Sequence, residues 1–231
     1  MLDQPRLAQA LSHVLWIGGS PCAGKSTIGH TIARTHVFLS YHLDPMARNH
    51  AARRLAAGDR ALQAFLKMSA DQRWLERSVE TLVQEVLESW SQECRLALED
   101  LLAMPREWFI IAEGNFFPEC LVPALSSRHQ AIWLAPTAPF CEQIRRQRDA
   151  EQARRRERHG LANESSDPEA RLRKLIERDC RLAEHVKHQA EQQQLPIYEV
   201  DGSRSLDEMT ALVAQHFEPY IIERLRTMPI F

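Results

Sequence analysis

Short apolar runs alternate along the chain with longer stretches of helical periodicity. His13-Val14-Leu15-Trp16-Ile17-Gly18 is one such run, ending at a glycine. Val37-Phe38-Leu39-Ser40-Tyr41-His42-Leu43-Asp44 reads as a second strand, rich in β-branched and aromatic residues and running out at Asp44-Pro45. Trp108-Phe109-Ile110-Ile111-Ala112 is continuously apolar, as in strands buried on both faces. Ala131 to Ala135, closed by Pro136, and Leu195 to Val200 complete an alternating β/α series.

Between these runs the pattern changes to helix. From Met46 to Met104 the only helix breaker is Gly58, while Leu, Ala, Glu, Gln and Arg abound, which predicts several helical segments with one break at Ser69-Ala70-Asp71. Leu75, Val79, Leu82, Val83, Val86, Leu87 and Trp90 form one apolar stripe over about four turns, suited to packing. A block placed there reads as a lid or substrate cover, with a dimerisation arm as the alternative. A further helix is expected from Pro168 to Gln194, and a last one is capped by Ser205 with Glu208 three residues on. His159 to Pro168, with Gly160, Asn163, Ser165 and Ser166, has the polar composition of a mobile flap.

The strongest chemical signal follows the first apolar run. Gly19-Ser20-Pro21-Cys22-Ala23-Gly24-Lys25-Ser26 fits the phosphate-binding loop pattern of Gly, four residues, Gly, Lys and Ser or Thr. By chance such a string occurs in roughly 1% of chains of this length, and here strand, loop and helix stand in the required order. Backbone N–H groups between the glycines can turn toward phosphate oxygens, and Lys25 can reach the β/γ-phosphates. Ser26 offers a hydroxyl for Mg²⁺ at a helix N-terminus whose dipole favours the anion.

Other candidate residues sit where strands end. Asp44 is a candidate general base for an acceptor hydroxyl, because ligands of open α/β sheets bind at the C-terminal strand edge; the same residue also suits a helix N-cap before Pro45. Glu113, ending the third strand, is placed to hold the Mg²⁺ shell, and a contact with the substrate is the other reading. Arg145, Arg146, Arg148, Arg154, Arg155, Arg156 and Arg158 crowd one helix. They can supply forks for a transferring phosphoryl group, although Glu142, Asp149, Glu151 and Glu157 are interleaved as solvent-face partners. Cys22 reads either as a thiol of depressed pKa near a helix N-terminus or as a small side chain fitting a tight loop.

Composition narrows the classes. The 231 residues, 44% hydrophobic, suffice for one domain over 1–231, with the helical block at 46–104 and an arginine-rich lid at 142–167. The 29 basic and 31 acidic residues nearly cancel, which gives no global field for nucleic acid or a membrane, and the arginine-rich helix lacks aromatics for stacking bases. Neither a spanning segment nor a signal peptide is evident, so the expected location is the cytoplasm. The five cysteines are scattered, with no spacing for a disulfide framework or a zinc site.

With the loop, the strand-end Asp44, the arginine-rich segment and the Asp201-Gly202-Ser203 turn in this order, the chain resembles the P-loop small-molecule kinases: the nucleoside monophosphate, shikimate and gluconate kinases and the chloramphenicol phosphotransferase. The resemblance implies a three-layer α/β fold, with a five-stranded parallel sheet and helices on both faces. It also implies ATP with Mg²⁺ and a closing lid. Gly19, Ser20, Pro21, Cys22, Ala23, Gly24, Lys25, Ser26 and Thr27 would bind the nucleotide, with Gly202 and Ser203 bordering the adenine. Arg145 and Arg148 match the lid arginines, and Ser26 and Glu113 would serve the metal. The expected activity is ATP-dependent phosphoryl transfer to a small polar metabolite. A nucleotide acceptor is disfavoured, because 46–104 is longer than the corresponding segment of the nucleoside monophosphate kinases and carries no base-recognition pattern. The competing reading is an ATP-binding switch or ATPase whose helical block meets a protein partner.

Overall fold

The computed structural model of the chain describes residues 3–161 and 165–227; Ala162, Asn163 and Glu164, within the segment read as a flap, lie outside the described residues. Its five strands are β1 (Val14–Gly19), β2 (Leu39–His42), β3 (Ile110–Glu113), β4 (Ala131–Pro136) and β5 (Ile197–Val200). They form one sheet in the order β2-β3-β1-β4-β5, and every pair is parallel. β1 is therefore central, and the chain leaves it first toward one edge and later toward the other. A crevice opens at such a reversal, outside the C-terminal ends of the strands.

Eleven helices accompany the sheet in the described residues: α1 (Gln4–Ala10), α2 (Lys25–His36), α3 (Leu43–Ala56), α4 (Arg60–Lys67), α5 (Ala70–Trp74), α6 (Val79–Leu102), α7 (Pro118–Leu121), α8 (Ala138–Arg158), α9 (Pro168–Gln192), α10 (Leu206–His216) and α11 (Glu218–Thr227). Because strand side chains alternate, each apolar run feeds two cores. Val14, Trp16, Ile110, Ala112 and Trp133 pack with Ala97 and Leu101 of α6 and with Val186 and Ala190 of α9. Leu15, Ile17, Ile111, Ile132 and Leu134 pack with Ile28 and Ile32 of α2 and with Met209 and Val213 of α10. Two helical layers thus enclose the sheet in a three-layer α/β fold, and this explains why β1 and β4 are buried along their whole length.

Several expectations shift. The second strand is shorter than residues 37–44, because Val37 leaves α2 through a left-handed C-cap (φ 57°) and α3 begins at Leu43. Asp44 accordingly lies in the first turn of α3 rather than in a strand, and the N-cap of that helix is His42. The 46–104 block resolves into α3 to α6, with Ser69 closing a capping box with Gln72 at the expected break. The capping box of Ser205 and Glu208 starts α10. The chain then turns at Phe217 into α11, where the sequence suggested a single last helix. No helix among the described residues is long and apolar enough to cross a membrane.

Within α8 the interleaved carboxylates are only partly used as i,i+4 partners. Glu142 does pair with Arg146 at 2.9 Å, but Asp149 turns to Arg171 of α9 at 2.6 Å. The tie between α8 and α9 is thus partly ionic.

Candidate active site

The loop after β1 is held open by its backbone geometry. Gly19 has φ 130°, and a Cβ there would stand 2.0 Å from the carbonyl oxygen of Leu134, so only glycine fits against β4. Gly24 (φ 77°) is the left-handed N-cap of α2 and supplies no side-chain cap, which leaves the first N–H groups of that helix available to an anion. Cys22 is also left-handed (φ 67°), an uncommon conformation for a residue with a side chain. The hydroxyl oxygen of Ser20 is buried without a hydrogen-bond partner. Such an orphan polar atom in an anion-shaped loop fits a phosphate guest.

Lys25 is buried, only 7% exposed. Its Nζ donates to the Ser20 carbonyl at 2.6 Å and to Asn115 Oδ1 at 3.1 Å, which folds the amine back across the loop. Burial pushes its pKa down to about 8 against the opposing pull of Glu113 and Asp44. Asn115, two residues past β3, carried no assigned role in the sequence. Only the tertiary contact with Lys25 identifies it.

Ser26 Oγ donates to Glu113 Oε2 at 3.0 Å, and the other carboxylate oxygen lies 2.9 Å from His42 Nδ1. Parallel register explains the grouping, since His42 and Ile17 both pair with Glu113 across β2-β3-β1. His42 is a further site residue that the sequence did not single out. Its place at the end of β2 is a possible signal, but its partner is 71 residues away. The Ser26 hydroxyl and the Glu113 carboxylate are hard oxygen donors, the type that Mg²⁺ takes from protein when phosphates supply the rest of its shell.

A cavity of about 130 Å³ is lined by the stretch from Pro21 to Thr27 together with Asp44, Asn115 and Arg148. The fold thus brings together the loop, Asp44 and one arginine of α8. Arg145, one helical turn before Arg148, instead lies with Nη2 3.1 Å from Asp179 Oδ2. Asp179 is fully buried, and its other oxygen receives Arg178 at 2.9 and 2.7 Å. Gly202 and Ser203 sit past the end of β5, outside the cavity lining, where Ser203 N and Oγ donate to Asp201 Oδ1 at 2.9 and 2.6 Å. That turn leads into Leu206, whose Cδ1 would stand 3.4 Å from a Cβ on Gly24.

All five cysteines are free thiols. The Cys22 thiol is pulled down to about 7, chiefly by a hydrogen bond from Cys141 of α8, while burial and Asp179 oppose the shift; Cys141 is pushed up in return.

No family model matches the chain, and no curated protein matches it in sequence. Among solved structures, the chain is similar to a shikimate kinase from Aquifex aeolicus, at 15% identity and a TM-score of 0.41, over 90% of this chain and 97% of that one. It is also similar to a gluconokinase from Sinorhizobium meliloti, at 11% identity and a TM-score of 0.40, over 93% of this chain and 97% of that one.

Proposed function

We propose that the protein is an ATP-dependent phosphotransferase acting on a small molecule. The observation that carries this reading is the convergence on one cavity of the phosphate loop, Asp44, Asn115 and Arg148, with the Ser26–Glu113 pair beside it. Phosphoryl transfer needs little covalent help from protein and much positioning and charge stabilisation. In this reading the loop N–H groups and Lys25 hold the β/γ-phosphates, and Ser26 and Glu113 hold Mg²⁺, which would neutralise charge on the phosphate oxygens. Arg148 reaches the cavity from α8 and offers a fork to the equatorial oxygens. The acceptor oxygen attacks the γ-phosphorus, the bond to the β-bridging oxygen breaks, and ADP leaves. Asp44 takes the acceptor's proton.

The switch or ATPase alternative requires an apolar partner surface on the helical block. Of the large exposed hydrophobic residues, Leu66 is the one within 46–104 among the described residues, which favours the enzyme and gives a dimerisation arm no support. The test is ATP consumption against a panel of sugars, hydroxy acids, nucleosides and antibiotics, each compared with the rate in water. Acceptor-dependent ADP release supports the kinase. Release that no acceptor stimulates, from a chain that binds ATP, supports the ATPase instead.

A further inference from the structure

The largest departure of the helical block from ordinary packing is a hollow of about 370 Å³ between α4, α5 and α6. The stripe on α6 does not pack as one surface: Leu87 and Trp90 meet the sheet-side core, whereas Leu82, Val86 and Trp90, four residues apart, form a line along the hollow. Opposite them stand Phe65 and Trp74, edge to face with centroids 5.8 Å apart. α4 has no buried residue, although Leu62 and Phe65 turn toward the hollow. The apolar side of this helix therefore looks into space where a core would normally close.

We propose that this hollow is a binding site for a small molecule with a flat, uncharged aromatic body. Its volume lies in the range of small-molecule pockets, roughly 300–1,000 Å³, and is too small for a helix of about 10 Å diameter. Its lining includes the rings of Phe65, Trp74 and Trp90, which reward an aromatic guest over an aliphatic one. The two cations that line it are already engaged: Arg54 with Asp59 at 2.9 Å and Arg77 with Glu85. Glu88, the other lining carboxylate, is exposed, so the buried part of the hollow selects its guest by ring system. No residue lines both this hollow and the cavity at the phosphate loop, so the two are distinct cavities. It does not rest on the kinase reading.

The test uses N-phenyl-1-naphthylamine, a neutral aromatic dye whose emission rises in apolar surroundings, titrated into the full chain. Wild type is expected to bind one dye per chain saturably, with its melting temperature rising with dye concentration. Ala64→Trp, on the α4 wall, fills the hollow; it should weaken binding at least tenfold while the melting temperature without dye stays level or rises. Ala61→Phe repeats the filling from the preceding turn should the larger residue lower the melting temperature. Absence of saturable binding by wild type overturns the proposal, as does unchanged affinity in a filled variant that melts like wild type.

Discussion

Glu113 accepts a hydrogen bond from Ser26 at 3.0 Å, across 87 residues of sequence, and this pair joins the end of β3 to the first turn of α2. The carboxylate is 2% exposed. Glu113→Gln keeps the shape and an acceptor oxygen but removes the charge. The Mg²⁺ concentration needed for half-maximal nucleotide binding should rise about tenfold or more, with the melting temperature near that of wild type. An unchanged Mg²⁺ requirement in a titration by calorimetry would remove Glu113 from the metal shell.

Asp44 stands in the first turn of α3 while His42 occupies the N-cap, so its carboxylate is not needed as the helix cap. Asp44→Asn should melt like wild type yet lose about a hundredfold or more in turnover, the range for removing a general base. A variant with full rate would shift the search for the base to His42 or Glu113.

Lys25 buries its amine against Ser20 and Asn115. Replacing it by Ala removes a charge whose burial is costly, so stability should be unchanged or slightly higher. Nucleotide affinity or turnover should nevertheless fall about a hundredfold or more, as when a positioned charge donor is removed. Calorimetric melting and nucleotide titration on the same variant separate the two effects.

Arg145 and Arg148, one turn apart on α8, should respond differently. Arg145→Ala leaves buried Asp179 with Arg178 as its remaining ionic partner and should cost about 3 kcal/mol of folding stability. Arg148→Ala, at the cavity, should leave stability nearly unchanged and lower kcat more than ATP affinity. Equal melting temperatures for the two variants would contradict this division.

Cys22 yields a pH dependence. Its thiol titrates near 7 instead of the ordinary 9.0, so the thiolate fraction, and with it alkylation by iodoacetamide, should rise as pH climbs through about 7. Cys94 and Cys141, whose thiols are pushed up by thiol neighbours and burial, and Cys180, pushed up chiefly by burial, should lag behind it. Bound ATP should slow the labelling of Cys22 specifically, as read by mass spectrometry of the loop peptide. Labelling that rises only above pH 8.5 would remove the Cys141 hydrogen bond as its cause.

The sequence by itself determined where the five strands and most of the helices lie, and the loop. Apolar runs long enough to be buried on both faces mark strands of a covered parallel sheet. Gly19 and Gly24 mark the loop between β1 and α2, and Ser69 and Ser205 mark helix starts, because each of these signals acts through neighbours a few residues away. Tertiary structure decided what depends on distant partners: that Glu113 meets Ser26 and His42, that Asn115 holds Lys25, and that Arg148 enters the cavity while Arg145 is drawn to Asp179. It also decided that the α6 stripe divides between a core and a hollow. Periodicity shows that a helix has an apolar face, but which part of that face is filled depends on the elements laid against it. Those positions follow from parallel register and from packing across the sheet, and no local pattern along the chain encodes them.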